Sequence, residues 1–179
     1  MALAFVALGA NLPSPRFGPP QATLQAALAA LADRIGPLAA RSRWFESEPV
    51  PKSDQPWFIN GVAALETSLK PLNILKILHD IEREFGRVRK TRWEARLLDL
   101  DLLAVDGQIL PDRDSWASAP ANAFRLPHPR LHERRFVLLP LLDVAPDWRH
   151  PVTGEGVGEM LAKLLAKLPE SEVVRPLQG

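Results

Sequence analysis

The sequence contains no cysteine, and this absence excludes disulfides and thiolate metal sites. Any bound metal must therefore be held by oxygen or imidazole ligands. A strong charge of either sign is also absent, because the formal net charge is only +1. That balance argues against a nucleic-acid-binding protein that relies on global positive charge, although a local basic patch stays possible.

Long apolar runs are absent as well. No segment approaches the roughly 20 apolar residues that a membrane-spanning helix needs. The first residues, MALAFVALGANLPSP, carry no basic group before their apolar run, which predicts a first strand rather than a signal peptide. We therefore expect a soluble, cytoplasmic protein without membrane association.

Hydrophobic periodicity predicts alternating strands and helices within one domain over residues 1–179. Strands are expected over residues 3–8, 39–46, 58–67 and 97–105, and helices over 21–35, 71–85, 136–142 and 160–168. The proline-rich loops are few, and no internal repeat or low-complexity segment marks a boundary. The order strand, helix, strand, strand, helix, strand is the split β-α-β pattern of ferredoxin-like α+β domains.

Two carboxylates share one face of the last predicted core strand. Asp99 and Asp101 alternate with leucines in the run LDLDLL, so both project to the same side of the strand. Adjacent carboxylates repel each other and are costly to desolvate, so a cation should compensate them. Mg²⁺ prefers hard oxygen ligands and shares its remaining positions with phosphates. A solvated strand face near Arg or Lys side chains fits the same spacing, and spacing alone does not decide between the two.

A basic loop comes immediately before the aspartates. Around Trp93 it carries five basic residues, Arg87, Arg89, Lys90, Arg92 and Arg96. Arginine clamps phosphate oxygens bidentately, and a basic loop can close over a polyphosphate. An isolated loop of this kind is more often merely solvated. With carboxylate metal ligands next to it, the loop completes the set of groups that phosphoryl-type transfer uses.

The common nucleotide-binding and hydrolase motifs are absent. There is no GxxxxGK[ST] phosphate loop, no kinase GxGxxG and no convincing Ser-His-Asp pattern, so ATP would bind through another architecture. The segment LPHPRLHERRF places His128 between two prolines on a rigid loop, with Arg134 and Arg135 downstream. A buried core or capping role is more common for such a histidine than catalysis, and the two arginines also fit simple surface charges.

Five segments together resemble the 6-hydroxymethyl-7,8-dihydropterin pyrophosphokinase family. They are ALGANL, DQPWFINGVAALETSL, GRVRK, RWEARLLDLDLL and LPHPRLHERRFVLLPL. The resemblance runs from about residue 4 to residue 146, in the family's order and spacing. It implies a ferredoxin-like core, β-α-β-β-α-β, elaborated into a three-layer α/β/α sandwich.

The resemblance also implies a reaction of folate biosynthesis. Diphosphate would pass from ATP to the hydroxymethyl group of 6-hydroxymethyl-7,8-dihydropterin, giving AMP and the pterin diphosphate. Two Mg²⁺ ions, held by Asp99 and Asp101, would bridge the enzyme to the triphosphate. The expected partners are these two substrates alone, without nucleic acid or membrane, and we expect a monomer.

By the same resemblance, Arg87 and Arg96 match catalytic loop arginines beside the metal-binding Asp99 and Asp101. The positions implied for ATP binding are His79, Glu82, Arg89, Lys90, Leu102, His128 and Arg134. The positions implied for pterin binding are Gly9, Ser47, Val50, Phe58, Asn60, Trp93 and Phe136. The chain departs from the family's pattern at Glu94-Ala95, where a glycine-proline pair or a similar one is usual.

Two alternatives compete with this interpretation. A ferredoxin-like nucleic-acid-binding module would use the basic loop for phosphates and sheet aromatics for stacking. Against it, aspartates occupy a strand face that such a module would need basic or aromatic, and no RNP-type motif is present. The second alternative is a paralogue that binds nucleotide but has little turnover because its catalytic loop is altered.

Overall fold

Six strands and four α-helices occur in the part of the chain that the computed structural model describes, residues 1–49, 51–86, 97–167 and 173–178. The strands are β1 (Ala2–Ala10), β2 (Leu38–Arg41), β3 (Phe45–Ser47), β4 (Phe58–Thr67), β5 (Asp99–Val105) and β6 (Val174–Pro176). The helices are α1 (Pro20–Arg34), α2 (Pro71–Glu84), α3 (Arg135–Val144) and α4 (Val157–Lys167), with a 3-10 turn at Leu131–Glu133. Within those ranges no helix is long and apolar enough to cross a bilayer.

The strands form one antiparallel sheet in the order β5-β1-β4-β3-β6, and β2 pairs with β4 on the same edge as β3. Strand β1 is central and pairs along its whole length with β4, from Ala2 opposite Thr67 to Ala10 opposite Ile59. If β2 and β3 are taken as one interrupted strand, this is the strand order of a ferredoxin-like domain. The predicted fold class is therefore confirmed.

Each face of the sheet is covered by a pair of helices. Residues of β1 alternate between the two sides, so Val6 and Leu8 pack in the core with α1 and α2, whereas Phe5 packs in the core with α3 and α4. The predicted three-layer arrangement follows from this alternation. Asn60, Asp99 and Asp101 lie on the face of the sheet that is covered by α3 and α4.

The spacing of apolar residues explains why the helices form where they do. Helix α2 begins with Pro71 at its first position, where the missing N–H costs nothing. Its residues Ile74, Leu78 and Ile81 lie on one stripe and are fully buried against the sheet. Gly86 follows the helix with a φ of 94°, a conformation that glycine adopts without strain.

The strand predicted over residues 39–46 is interrupted in the structure. The Ser42 N–H donates to the Val62 carbonyl (2.8 Å), and the Val62 N–H donates to the Ser42 side-chain oxygen (2.9 Å). A hydroxyl thus replaces a main-chain acceptor, and regular pairing stops between β2 and β3. The indole of Trp44 lies over Gly61, where an added Cβ would sit 2.5 Å from the ring.

The periodicity did not predict β6, because three residues that include a proline carry no readable pattern. This strand pairs with β3 and covers the outer edge of the sheet there. Its formation depends on the presence of β3, so only the tertiary structure reveals it.

We predict that Gly61→Ala destabilises the protein by about 1–3 kcal/mol, since the new methyl group overlaps the buried Trp44 ring. Urea unfolding measures the change. Gly107→Ala is the matched control, because no atom lies within 4 Å of its added Cβ, and it should shift stability by less than about 1 kcal/mol. Equal stability of the two variants would contradict the close packing of Trp44 on Gly61.

Candidate active site

A row of cross-strand neighbours brings the candidate polar residues together. Gly9 of β1 lies directly opposite Asp99 of β5 on one side and Asn60 of β4 on the other. Paired residues in an antiparallel sheet share a face, so the carboxylate and the amide flank a position that has no side chain. An added Cβ on Gly9 would lie 3.0 Å from Asn60 Oδ1. The absence of that Cβ leaves open the space between Asp99 and Asn60.

The open space forms a small cleft on the α3 side of the sheet, which we call the sheet cleft. Its floor consists of small residues of β1 and β4, and α3 supplies one wall. The lining residues are Ala7, Leu8, Gly9, Asn60, Gly61, Asp99, Asp101, Phe136 and Val137. Five residues predicted to belong to the metal site or the pterin site therefore border one cavity: Gly9, Asn60, Asp99, Asp101 and Phe136.

The amide end of the cleft is ordered by a buried hydrogen bond. Asn60 Nδ2 donates to Ser47 Oγ over 2.7 Å, and both side chains are almost fully buried. Ser47 pairs with Phe58 across β3 and β4, so the two residues share the face of Asn60. The bond uses one of the two N–H groups of the amide, and Asn60 Oδ1 lies toward Gly9 and the cleft. A hydrogen-bond acceptor with fixed orientation can select a planar, polar heterocycle.

The carboxylate end of the cleft adjoins a partly buried arginine. Arg134 Nη1 lies 3.7 Å from Asp101 Oδ2, and the guanidinium carbon is 5.7 Å from the centre of the Phe136 ring. Burial lowers the pKa of Arg134 below its usual value, and the charge of Asp101 opposes that shift. Arginine nevertheless stays protonated in proteins. The Arg134 guanidinium and the carboxylates of Asp99 and Asp101 thus lie close together at one edge of the cleft.

His128 lies beside these charged groups as a neutral ring. Burial, followed by the positive charges of Arg134 and Arg130, lowers the pKa of His128 to about 4. The Arg130 N–H donates to His128 Nδ1 over 3.1 Å, so the proton of the neutral ring belongs on Nε2. The His128 N–H donates to the Leu103 carbonyl, which attaches this segment to the strand of the aspartates. His128 therefore offers a hydrogen-bond donor without adding charge.

The segment over residues 112–124, which had no predicted role, contacts the loop that carries His128. Trp116 is buried, and its Nε1 donates to the Pro127 carbonyl over 3.0 Å. Arg125, whose charge also lowers the pKa of His128, donates to the Trp116 carbonyl. Neither residue was predicted from the sequence to belong to the site. A tryptophan within an irregular, polar segment was the signal that could have identified this anchor.

The remaining candidates on α2 and β5 lie outside the sheet cleft. His79 is exposed on α2, whereas Glu82 is buried and its Oε1 accepts a hydrogen bond from the Leu100 N–H (2.7 Å). Glu82 thereby reaches the outer edge of β5 between the two aspartates. The Leu102 side chain is buried in the core on the α1 and α2 side, so any contact of Leu102 with ATP would involve its main chain.

Six predicted site residues lie outside the described part of the chain. They are Val50, Arg87, Arg89, Lys90, Trp93 and Arg96. Their roles stay predictions from the resemblance.

The donor atoms of the cleft suit a shared magnesium site. Among residues 1–49, 51–86, 97–167 and 173–178, no group of three or more His, Asp or Glu side chains could hold a metal alone. Asp99 and Asp101 supply hard oxygen ligands on one face of one strand and are partly exposed to the cleft. Mg²⁺ commonly takes one or two carboxylates and completes its shell with phosphates and water. The residues therefore fit an ion that arrives with a polyphosphate.

Sequence comparisons with known proteins all indicate the same protein family. Residues 5–146 match the family described as 7,8-dihydro-6-hydroxymethylpterin-pyrophosphokinase (HPPK). The 2-amino-4-hydroxy-6-hydroxymethyldihydropteridine pyrophosphokinase of Pseudomonas aeruginosa is 42% identical over 173 residues, which cover 96% of this chain and 94% of that protein. The protein of the same name from Methylorubrum extorquens is 38% identical, with 92% of this chain and 94% of that protein covered.

Solved structures agree on the fold. A crystal structure of HPPK-DHPS in complex with substrates matches with a TM-score of 0.71 at 13% identity, over 94% of this chain and 46% of that chain. Plasmodium falciparum HPPK-DHPS matches with a TM-score of 0.70 at 13% identity, over 96% and 47% of the two chains. This chain thus spans a little under half the length of these solved chains.

We predict that the His128 ring stays neutral until the pH approaches 4. The folded-state pKa of about 4 lies below the unfolded value of 6.5, so protonation favours unfolding. The contribution of His128 to stability is complete above about pH 6.5 and is lost as the pH falls toward 4, on the order of 1–3 kcal/mol in total. NMR titration of the ring, assigned with His128→Gln, measures the pKa. A midpoint near 6.5 would contradict the buried, neutral ring.

Proposed function

This chain belongs to the 7,8-dihydro-6-hydroxymethylpterin-pyrophosphokinase family and is a pyrophosphokinase of folate biosynthesis, and we propose that the sheet cleft with its rim is the active site. ATP donates the diphosphate, and the hydroxymethyl group of the reduced pterin accepts it. The observation that carries the assignment is the row Asp99, Gly9, Asn60 across three strands. This row supports the assignment because a carboxylate suited to a metal-bound triphosphate lies near an amide suited to a heterocycle.

Asp99 and Asp101 are the proposed ligands of Mg²⁺, and the resemblance to the family suggests two ions. When bound, Mg²⁺ neutralises charge on the triphosphate and orients it for transfer. The protein's own contribution is to hold both carboxylates on one face of β5. The pairing of β5 with β1 and the hydrogen bond from Leu100 to Glu82 keep that strand in place.

Arg134 and His128 are proposed to bind phosphate oxygens at the rim of the cleft. The Arg134 guanidinium can donate two hydrogen bonds to a phosphate, and its partial burial strengthens the attraction. His128 Nε2–H adds a neutral donor. By resemblance, Arg87 and Arg96 stabilise charge on the leaving AMP, while Arg89, Lys90, His79, Glu82 and the Leu102 main chain contact the nucleotide.

The pterin is proposed to bind at the amide end of the cleft. Asn60 Oδ1 would accept hydrogen bonds from ring N–H groups, because the bond to Ser47 already fixes Asn60 Nδ2. Phe58 and Phe136 would contact the ring faces, and by resemblance Val50 and Trp93 would close the pocket. The hydroxymethyl oxygen then forms a bond to the β-phosphorus as the bond from the β-phosphorus to the α-phosphate oxygen breaks and AMP departs.

Three further properties of the enzyme stay predictions: its single domain, its monomeric state and its cytoplasmic location. The enzyme assay is AMP formation that requires Mg²⁺, ATP and the reduced pterin together. Nucleotide binding without AMP formation would favour instead the paralogue with little turnover.

We predict that Asp99→Asn or Asp101→Asn lowers the Mg²⁺-dependent rate of AMP formation by about a thousandfold or more, since a metal ligand contributes several kcal/mol. Asp143→Asn is the control, because Asp143 pairs with Arg43 at the opposite end of α3 from Phe136 and Val137. Its rate should be unchanged. Substantial Mg²⁺-dependent activity in either cleft variant would refute the metal assignment.

Asn60→Ala should weaken pterin binding far more than ATP binding. Losing a buried partner for a polar ring costs about 1–3 kcal/mol, or roughly 5- to 150-fold in affinity. Calorimetric titration of the two substrates measures both constants. Ser47→Ala should give a smaller loss of the same kind, because Asn60 keeps its amide but loses its buried partner. Unchanged pterin affinity in Asn60→Ala would remove that residue from the pocket.

A further inference from the structure

The C-terminal strand β6 is bonded to the strand that carries Ser47, and it lies beyond residues 5–146 that match the family. Ser47 is directly opposite Val174. On either side of the paired segment, the Glu48 N–H donates to the Val173 carbonyl (3.2 Å), and the Leu177 N–H donates to the Trp44 carbonyl (2.8 Å). Strand β6 thus supports β3 up to the start of the loop that leads to β4.

One side chain of β6 contacts both ends of that loop. Arg175 Nε donates to Glu46 Oε1 over 2.5 Å, and the Arg175 guanidinium carbon lies 5.0 Å from the centre of the Trp57 ring. Glu46 immediately precedes Ser47, and Trp57 immediately precedes Phe58. Arg175 therefore connects Glu46 and Trp57, which are the chain neighbours of two proposed pterin-binding residues, Ser47 and Phe58.

The bridge lies on the reverse side of the sheet from the cleft. Because side chains alternate along a strand, Glu46 points to the face opposite to that of Ser47. Within the described part of the loop, Lys52, Ser53 and Asp54 are exposed. Asn11 also holds the loop, because its Nδ2 donates to the Pro56 carbonyl (3.0 Å). The contacts at the loop ends therefore add to the sheet pairing that holds Ser47 and Phe58.

We propose that Arg175 is a positioning residue for pterin binding, acting through Glu46 and Trp57 on the pair Ser47 and Phe58. An arginine suits this task because its planar guanidinium can form an ion pair and stack on an aromatic ring at once. With Arg175 in place, Ser47 presents its hydroxyl to Asn60 and the amide keeps its orientation in the cleft. The inference rests on the pterin site assigned under the proposed function.

Steady-state kinetics of Arg175→Ala test the inference. We expect the KM for the pterin to rise about threefold to tenfold, the scale of one ion pair plus one cation–π contact, while kcat and the KM for ATP stay within about twofold. Arg175→Lys should recover part of the loss. In a Glu46→Gln background the further effect of Arg175→Ala should be smaller than in the native background.

Arg43→Ala is the matched control. Arg43 also forms an ion pair, with Asp143 at 3.0 Å, and lies 5.3 Å from the centre of an aromatic ring, that of Phe45, but it does not bridge the loop ends. An equal rise of the pterin KM in Arg43→Ala would overturn the inference. A change of Arg175→Ala confined to kcat or to the KM for ATP would also overturn it. Thermal unfolding verifies that each variant folds, and Arg175→Gln replaces the alanine variant if that one does not.

Asn60→Ala, measured in the same series, separates failure of this inference from failure of the pocket assignment. A raised pterin KM in Asn60→Ala together with a native KM in Arg175→Ala would overturn the positioning role alone. An unchanged pterin KM in Asn60→Ala would overturn the pocket assignment, and the inference about Arg175 with it.

Discussion

The antiparallel pairing of β1 with both β4 and β5 is the constraint on which the candidate site depends. That pairing places Gly9 between Asp99 and Asn60, and the missing side chain of Gly9 keeps the carboxylate and the amide on either side of one cavity. A shift of one residue in either register would turn the polar side chains toward the opposite core. The cores on the two faces of the sheet therefore preserve the site as well as the fold.

Charge and hydrogen bonding divide the cleft into two ends. Asp101 and Arg134 form a polar edge suited to a metal-bound triphosphate, and the neutral His128 adds a donor there without more repulsion between cations. At the other end, Asn60 and Ser47 form a buried neutral pair that suits an uncharged heterocycle. Transfer of the diphosphate from ATP to the pterin requires the two substrates to meet between these ends. Ala7 and Gly9 line the cleft there, and their small size leaves room for that contact.

Both ends are supported from outside the sheet cleft. Trp116 anchors the turn that carries His128 through the Pro127 carbonyl, and β6 supports the strand that carries Ser47. The residues proposed to face the ligands thus lie on or beside strands, while less regular segments hold those residues in place. Preorganisation of this kind reduces the ordering that substrate binding must otherwise bring about.

The sequence by itself determined the order of the elements as far as α4, the shared face of Asp99 and Asp101, and the family. Those features depend on local periodicity and short motifs, which remain readable in a single chain. The tertiary structure alone decided that Gly9 separates Asp99 from Asn60, because register between distant strands has no local signal. It also decided that the strand after α1 breaks at Ser42, that Trp116 supports His128, and that Arg175 reaches Glu46 and Trp57. Each of these contacts joins residues at least 11 positions apart in the chain, so local periodicity does not reveal it.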